Sequence, residues 1–112
     1  MKYRVFDGHC DTPVELWMRG ESLRKNALAV SLEQAKRFGG YAQFFAFCTA
    51  WIENDLPHTE QYRRALDYFS VQLRGNADAV ALCRTAEDAE QAMSEGKTAA
   101  FLAIEGAEAI GC

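Results

Sequence analysis

Proline is scarce in this chain of 112 residues: only Pro13 and Pro57 occur, both where a turn or a helix start fits. No run approaches the ~20 apolar residues of a membrane span. No basic and then apolar leader fits ahead of the polar motif that begins at Asp7. Lysine and arginine are scattered, and the net charge is -4, so neither nucleic acid nor an anionic membrane surface is an expected partner. The four cysteines, Cys10, Cys48, Cys83 and Cys112, form no C-x-x-C pair. That excludes a zinc knuckle and a disulfide framework, and points to reduced thiols in a cytoplasmic protein. Phosphate loops of the G-x-x-x-x-G-K-[ST] and G-x-G-x-x-G types are missing, as is a G-x-S-x-G nucleophile elbow. There are no repeats, low-complexity tracts or linkers.

What is present is ordinary globular composition, 49% hydrophobic and 25% charged, arranged as apolar runs alternating with amphipathic segments. Tyr3 to Phe6 reads as a first strand. Pro13 opens a short helix through Val14, Leu16, Trp17 and Met18. Ser31 and Gln34 form a capping-box pattern for a short helix that stops at Gly39-Gly40. Tyr41 to Cys48 is nearly continuous and apolar, the look of a parallel strand covered on both faces. Thr59 is the expected cap of a longer helix whose Tyr62, Ala65, Leu66, Phe69 and Leu73 share one face; Gly75-Asn76 ends it. Ala79 to Leu82 fits either an extra strand or a connector. Thr85 to Asp88 signals another helix start, Gly96 its end, and Thr98 to Ile104 a buried strand. Strands alternating with helices predict parallel βαβ units with right-handed crossovers.

The chemistry gathers where strands end. In extended backbone, residues i and i+2 point to one side, so His9 and Asp11 of Asp7-Gly8-His9-Cys10-Asp11 are placed to hold one metal ion. The bland alternative is an Asp-Gly turn with Asp11 as a helix cap. Asp7 is either a turn former or a carboxylate that orients His9 through its other ring nitrogen. Cys10 alternates to the opposite face as a small buried hydrophobe. Glu105 follows the apolar run Phe101 to Ile104, where an unpaired carboxylate is costly to bury, so it requires a cation or solvent. Gly106 permits close backbone approach to a ligand. Glu108 reads as a solvated or helix-start carboxylate, His58 as a loop or capping residue, and Trp17 and Trp51 as core or rim. The pattern suggests a metal-dependent hydrolase.

Three stretches, taken together, resemble a known family. Val5 to Pro13, reading V-F-D-G-H-C-D-T-P, is similar to the opening motif of the membrane dipeptidase (renal dipeptidase) family of zinc peptidases. Gly39 to Phe45 resembles its G-G-x-x-Q-F-W signature. Glu95-Gly96-Lys97 followed by Ala103 to Ile110 resembles its third landmark. The order and spacing agree over essentially the whole chain. Cys10, Phe45 and Ala107 depart from the family pattern without removing a ligand.

The resemblance implies a (β/α)8 TIM barrel with two zinc ions bridged by water, hydrolysing dipeptides and often tolerating a D-residue at the C-terminal position. His9 and Asp11 would hold one ion and Glu105 would bridge both. The family's two further zinc histidines, its substrate-binding histidine and arginine and its catalytic aspartate come later, so no catalytic residue is assignable here. A TIM barrel needs about 250 residues. Residues 1–112 are therefore expected to be the N-terminal part, about three strands, of a single incomplete metallo-dependent hydrolase barrel domain. The remainder would come from further chain or a second chain, and a homo-oligomer is expected. Open strand edges and an uncovered interior predict that this segment is neither a stable monomer nor active by itself. Another barrel amidohydrolase, acting on cyclic amides, is the alternative, although such enzymes more often open with H-x-H. A non-catalytic piece that only assembles with the rest of the barrel is the other.

Overall fold

The structure, a computed structural model, describes residues 2–111. The strands are β1 (Arg4–Cys10), β2 (Gly40–Phe47), β3 (Val80–Leu82) and β4 (Thr98–Ile104). The helices are α1 (Thr12–Arg19), α2 (Leu32–Ala35), α3 (His58–Gly75) and α4 (Ala86–Ser94), with a 3-10 turn at Glu108–Ile110. All strand pairs are parallel, in the order β1-β2-β4-β3. The sheet thus has four strands where about three were expected. The added one is the ambiguous run Ala79 to Leu82, which pairs with only the first half of β4, from Val80 opposite Thr98 to Leu82 opposite Ala100.

Register divides the sheet into two faces. Val5 stands opposite Tyr41, and Phe6 opposite Ala42; Phe44 stands opposite Phe101, and Phe45 opposite Leu102. Paired residues share a face. One face therefore carries Val5, Tyr41, Phe45, Phe47, Ala100 and Leu102, and α1 and α3 cover it. Phe45, Phe47, Phe69, Val14 and Leu16 are at most 1% exposed, and Phe69 of α3 meets both Phe45 and Phe47. Burial of such a side chain contributes roughly 1.5–3 kcal/mol, so this layer is the main source of cohesion.

The other face carries Phe6, Ala42, Phe44, Ala99, Phe101 and Ala103. Helix α4 covers only its N-terminal end, packing Ala89, Ala92 and Met93 on Ala42 and Ala99. An Arg4–Glu90 ion pair of 2.7 Å lies at the same end. A methyl group on Gly40 would lie 3.0 Å from Met93 Sδ, so the glycine permits this close approach. Toward the C-terminal ends, the row Phe6–Phe44–Phe101 has ring centroids 5.8 and 4.8 Å apart and no helix over it.

Element starts follow local chemistry. Thr85 Oγ1 accepts from the Asp88 amide and the Asp88 carboxylate accepts from the Thr85 amide, a complete capping box. Ser31 caps α2 by accepting from the Gln34 amide, but α2 ends at Ala35, well before Gly39. Helix α3 begins at His58, not after a Thr59 cap: Pro57 occupies the cap position and its carbonyl accepts from the Gln61 amide. Strand β1 runs four residues past Phe6, through the polar motif, because β2 offers partners as far as Phe45.

Candidate metal centre

The C-terminal strand edge brings together the three residues expected as ligands. His9 Nε2 lies 3.1 Å from Asp11 Oδ1 and 3.2 Å from Glu105 Oε1. One ligand atom from each residue falls within 4.8 Å of the others. All three side chains are about half exposed, so the cluster opens to solvent. The Asp11 side chain makes no cap bond to α1, although Asp11 occupies the cap position; its carboxylate turns to His9 instead. The Glu105 amide donates to the Phe47 carbonyl at 3.0 Å, carrying the β2–β4 ladder one residue further and fixing the start of the loop. That loop turns at Gly106, whose φ of +80° suits glycine, and the Glu108 carboxylate folds over it.

A bulge in β1 decides which way His9 points. Asp7 pairs with Gln43 and Cys10 with Phe45, so Gly8 and His9 together stand opposite Phe44 alone. Exposure alternates regularly from Arg4 to Gly8, then breaks phase at His9. Cys10 turns into the helix-covered core, as expected, and burial raises its thiol pKa, making it a poor ligand and nucleophile. Asp7 neither makes a plain turn nor touches the His9 ring. Its Oδ1 accepts from the His9 backbone amide at 3.1 Å.

Sequence reasoning reached Gln43 only as the glutamine of the G-G-x-x-Q-F-W signature and gave it no role. It is fully buried; its Nε2 donates to the Phe44 carbonyl (3.0 Å) and, at 3.4 Å, to the Asp7 carbonyl, and its Oε1 accepts from Tyr41 Oη at 2.5 Å. Burial pushes the Tyr41 pKa up to about 12, with the Asp7 charge adding to it, so the hydroxyl remains a donor at any working pH. The available signal was a lone amide inside an otherwise apolar strand run. His58 is a loop-tethering residue, its Nδ1 3.1 Å from Thr49 Oγ1. Cys10, Cys48 and Cys83 are free thiols; Cys112 lies outside the described residues. Burial raises the Cys48 pKa most, and the Glu105 and Asp11 charges add to it.

The donor set fits a divalent metal. Imidazole nitrogen and carboxylate oxygen are zinc ligands at about 2.0–2.2 Å, which puts tetrahedral donors about 3.4 Å apart; the two closest separations here are 3.1 and 3.2 Å. Beside Asp11 opens a cavity of about 540 Å³ lined by Glu15, Met18, Arg19 and Trp51.

The family model for membrane dipeptidases, peptidase family M19, matches residues 1–112. The chain belongs to the membrane dipeptidase family. No curated protein is matched by sequence. Among solved structures, this chain is similar to dipeptidase AC, a metallopeptidase of family M19, with TM-score 0.73 and 23% identity over 97% of this chain and 37% of that one. It is also similar to a metallopeptidase from Rhodobacter sphaeroides liganded with a phosphinate mimic of the dipeptide L-Ala-D-Ala: TM-score 0.75, 20% identity, 97% of this chain and 40% of that one. A third is the probable dipeptidase PvdM from Pseudomonas aeruginosa, at TM-score 0.74 and 18% identity over 97% of this chain and 30% of that one. The chain therefore spans well under half the length of these structures, and its fold is that part of a (β/α)8 barrel. Among the described residues, no helix is long and apolar enough to cross a membrane.

Proposed function

We propose that residues 1–112 form the N-terminal segment of a single metallo-dependent hydrolase barrel domain whose complete form hydrolyses dipeptides at a pair of zinc ions. The convergence of His9, Asp11 and Glu105 at one strand edge carries this reading. His9 and Asp11 would hold one ion, and Glu105, with two carboxylate oxygens, would be the residue shared between both. When bound, the metals supply Lewis acidity that lowers the pKa of water and polarises the scissile carbonyl.

The residues of this chain do the placing. His9 would offer Nε2 to the metal, and the two carboxylates would offset its charge. The cavity beside Asp11 offers Met18 and Trp51 as apolar wall and Arg19 and Glu15 as charged rim, room suited to a small polar substrate such as a dipeptide. The remaining ligands and the carboxylate that gives a proton to the leaving amine belong to the rest of the barrel, so this segment alone is inactive. A homo-oligomer and a cytoplasmic location complete the reading, the latter from the free thiols.

The test is Glu105→Gln in the complete enzyme. Metal content should fall and dipeptide hydrolysis with it; unchanged metal content and rate would overturn the assignment.

A further inference from the structure

The two ends of the β1 bulge are both held by side chains, and this gives Gln43 a role that its place in an apolar strand does not explain. Without a bulge, alternation would continue from Asp7, which shares the helix-covered face with Gln43. His9 would then turn toward α1 and α3, and Cys10 would turn toward Glu105. The extra residue reverses this, so that Cys10 pairs with Phe45 inside the core while His9 and Asp11 face Glu105. Bulges re-aim side chains in this way, at the cost of leaving one residue out of the ladder.

A bulge persists only if its backbone groups find partners. The His9 amide is taken by the Asp7 carboxylate at 3.1 Å. The Asp7 carbonyl, at the entry to the bulge, is reached by Gln43 Nε2 at 3.4 Å, and the same nitrogen donates at 3.0 Å to the carbonyl of Phe44, the residue opposite the bulge. Gln43 is 0% exposed, and an amide buried that deeply is stable only with its hydrogen bonds made. The Asp7 and Phe44 carbonyls require the NH2 group on the β1 side, and the Tyr41 hydroxyl, donating to Oε1, holds the other end of the amide in that orientation. A reversed amide would set its oxygen against two carbonyl oxygens, neither of which has a proton to give.

We propose that Gln43, oriented by Tyr41, is a positioning residue for the metal centre: its carboxamide clamps the bulge that turns His9 and Asp11 toward Glu105. The inference rests on the metal-centre reading above and deepens it. It separates holding the sheet together, which Phe45 and Phe47 do, from aiming the ligands, which Gln43 does from the same strand.

Cobalt(II) is the probe, because its visible absorption reports coordination geometry. In the complete enzyme, Gln43→Met keeps the side-chain volume but removes both ends of the clamp. Cobalt affinity should fall about 10–100-fold, the range for residues that orient metal ligands, with an altered visible spectrum and an unchanged far-ultraviolet circular dichroism spectrum. Phe45→Leu, a core change one turn of the alternation away, should lower thermal stability yet leave cobalt affinity and spectrum as in the parent. Parent-like cobalt binding by Gln43→Met, or an equal loss in Phe45→Leu, would overturn the proposal. Should Gln43→Met fail to fold, Tyr41→Phe removes only the orienting hydroxyl; a weaker, spectrally altered cobalt site supports the clamp, and an unaltered one overturns it. Failure of the metal-centre reading has a different signature, namely a parent enzyme that binds no cobalt or a Glu105→Gln variant that binds it undiminished.

Discussion

Both faces of the sheet carry phenylalanine and alanine, one of them with valine, leucine and tyrosine added, yet their phenylalanines end in different states. On one, Phe45 and Phe47 are sealed by α1 and α3; on the other, Phe6 is 67% exposed and Phe44 and Phe101 are only partly covered. Phenylalanine content does not separate them. What separates them is whether the chain returns a helix to that side. Crossovers α1 and α3 place helices on one side of a parallel sheet, as the handedness of βαβ units requires. Helix α4 reaches the other side only at its N-terminal end, leaving the C-terminal half, beside His9, Asp11 and Glu105, open. In a closed barrel this second face is the interior, where layers of side chains from all strands meet. One face is therefore finished by local crossovers, and the other needs strands that lie elsewhere.

The comparison can be broken most severely on the finished face. Phe45→Ala removes a ring packed 5.0 Å from that of Phe69, and should cost about 3–5 kcal/mol in urea unfolding of the complete enzyme. A loss below ~1 kcal/mol would show that the helix-covered layer is not the main core.

On the open face the effect should depend on what accompanies the chain. Residues 1–112 alone should elute from size exclusion as associated species, because an apolar row and open strand edges invite pairing. Phe6→Ser should shift that elution toward monomer. In the complete barrel the same substitution should instead destabilise, by about 2–4 kcal/mol, by analogy with other losses of buried aromatic volume. A compact monomer of the unsubstituted segment at high concentration would contradict the reading of this face as an interior.

A smaller effect tests the partial cover. Thr85→Ala removes one half of the capping box that starts α4, with an expected loss of about 1 kcal/mol and faster amide exchange in α4, leaving α3 unchanged. No difference between the two helices would mean that α4 is held by packing alone.

The smallest is a pH effect with a definite sign. The Asp88 carboxyl is held below its ordinary pKa, first by the Arg84 backbone amide and then by Thr85. A depressed folded-state pKa contributes stability above the unfolded value, near 3.9, that disappears as pH falls through the folded value. Helix α4 should therefore loosen below about pH 4, and Asp88→Asn should remove that step. A step that persists in the variant would assign it to another carboxylate.

Much of this was legible from residues. A continuous apolar run placed β4 at Thr98 to Ile104, a capping signal placed α4 after Thr85, and three- and four-residue spacing placed the long α3 face, because those patterns are local. The expected ligands His9, Asp11 and Glu105 were marked by residue type at strand ends, and they do converge. Other features were not legible. Whether Ala79 to Leu82 is a strand depends on a partner, since four apolar residues bond to nothing of their own; β4 supplied the ladder for Val80 to Leu82. Asp7 read as either a turn former or a ring-orienting carboxylate, but it accepts from the His9 backbone amide, made available by the bulge.

By itself, then, the sequence determined the order and type of the main elements, the family, and which side chains have metal-ligand chemistry, since each is written in residue identity and short-range periodicity. Only the tertiary structure decided the strand order β1-β2-β4-β3, the placement of α4 across one end of the second face, and the bulge clamped by Gln43 that turns Cys10 into the helix-covered core and His9 toward Glu105. Those outcomes depend on hydrogen bonds and contacts between residues tens of positions apart, and no local pattern encodes the partner at the other end.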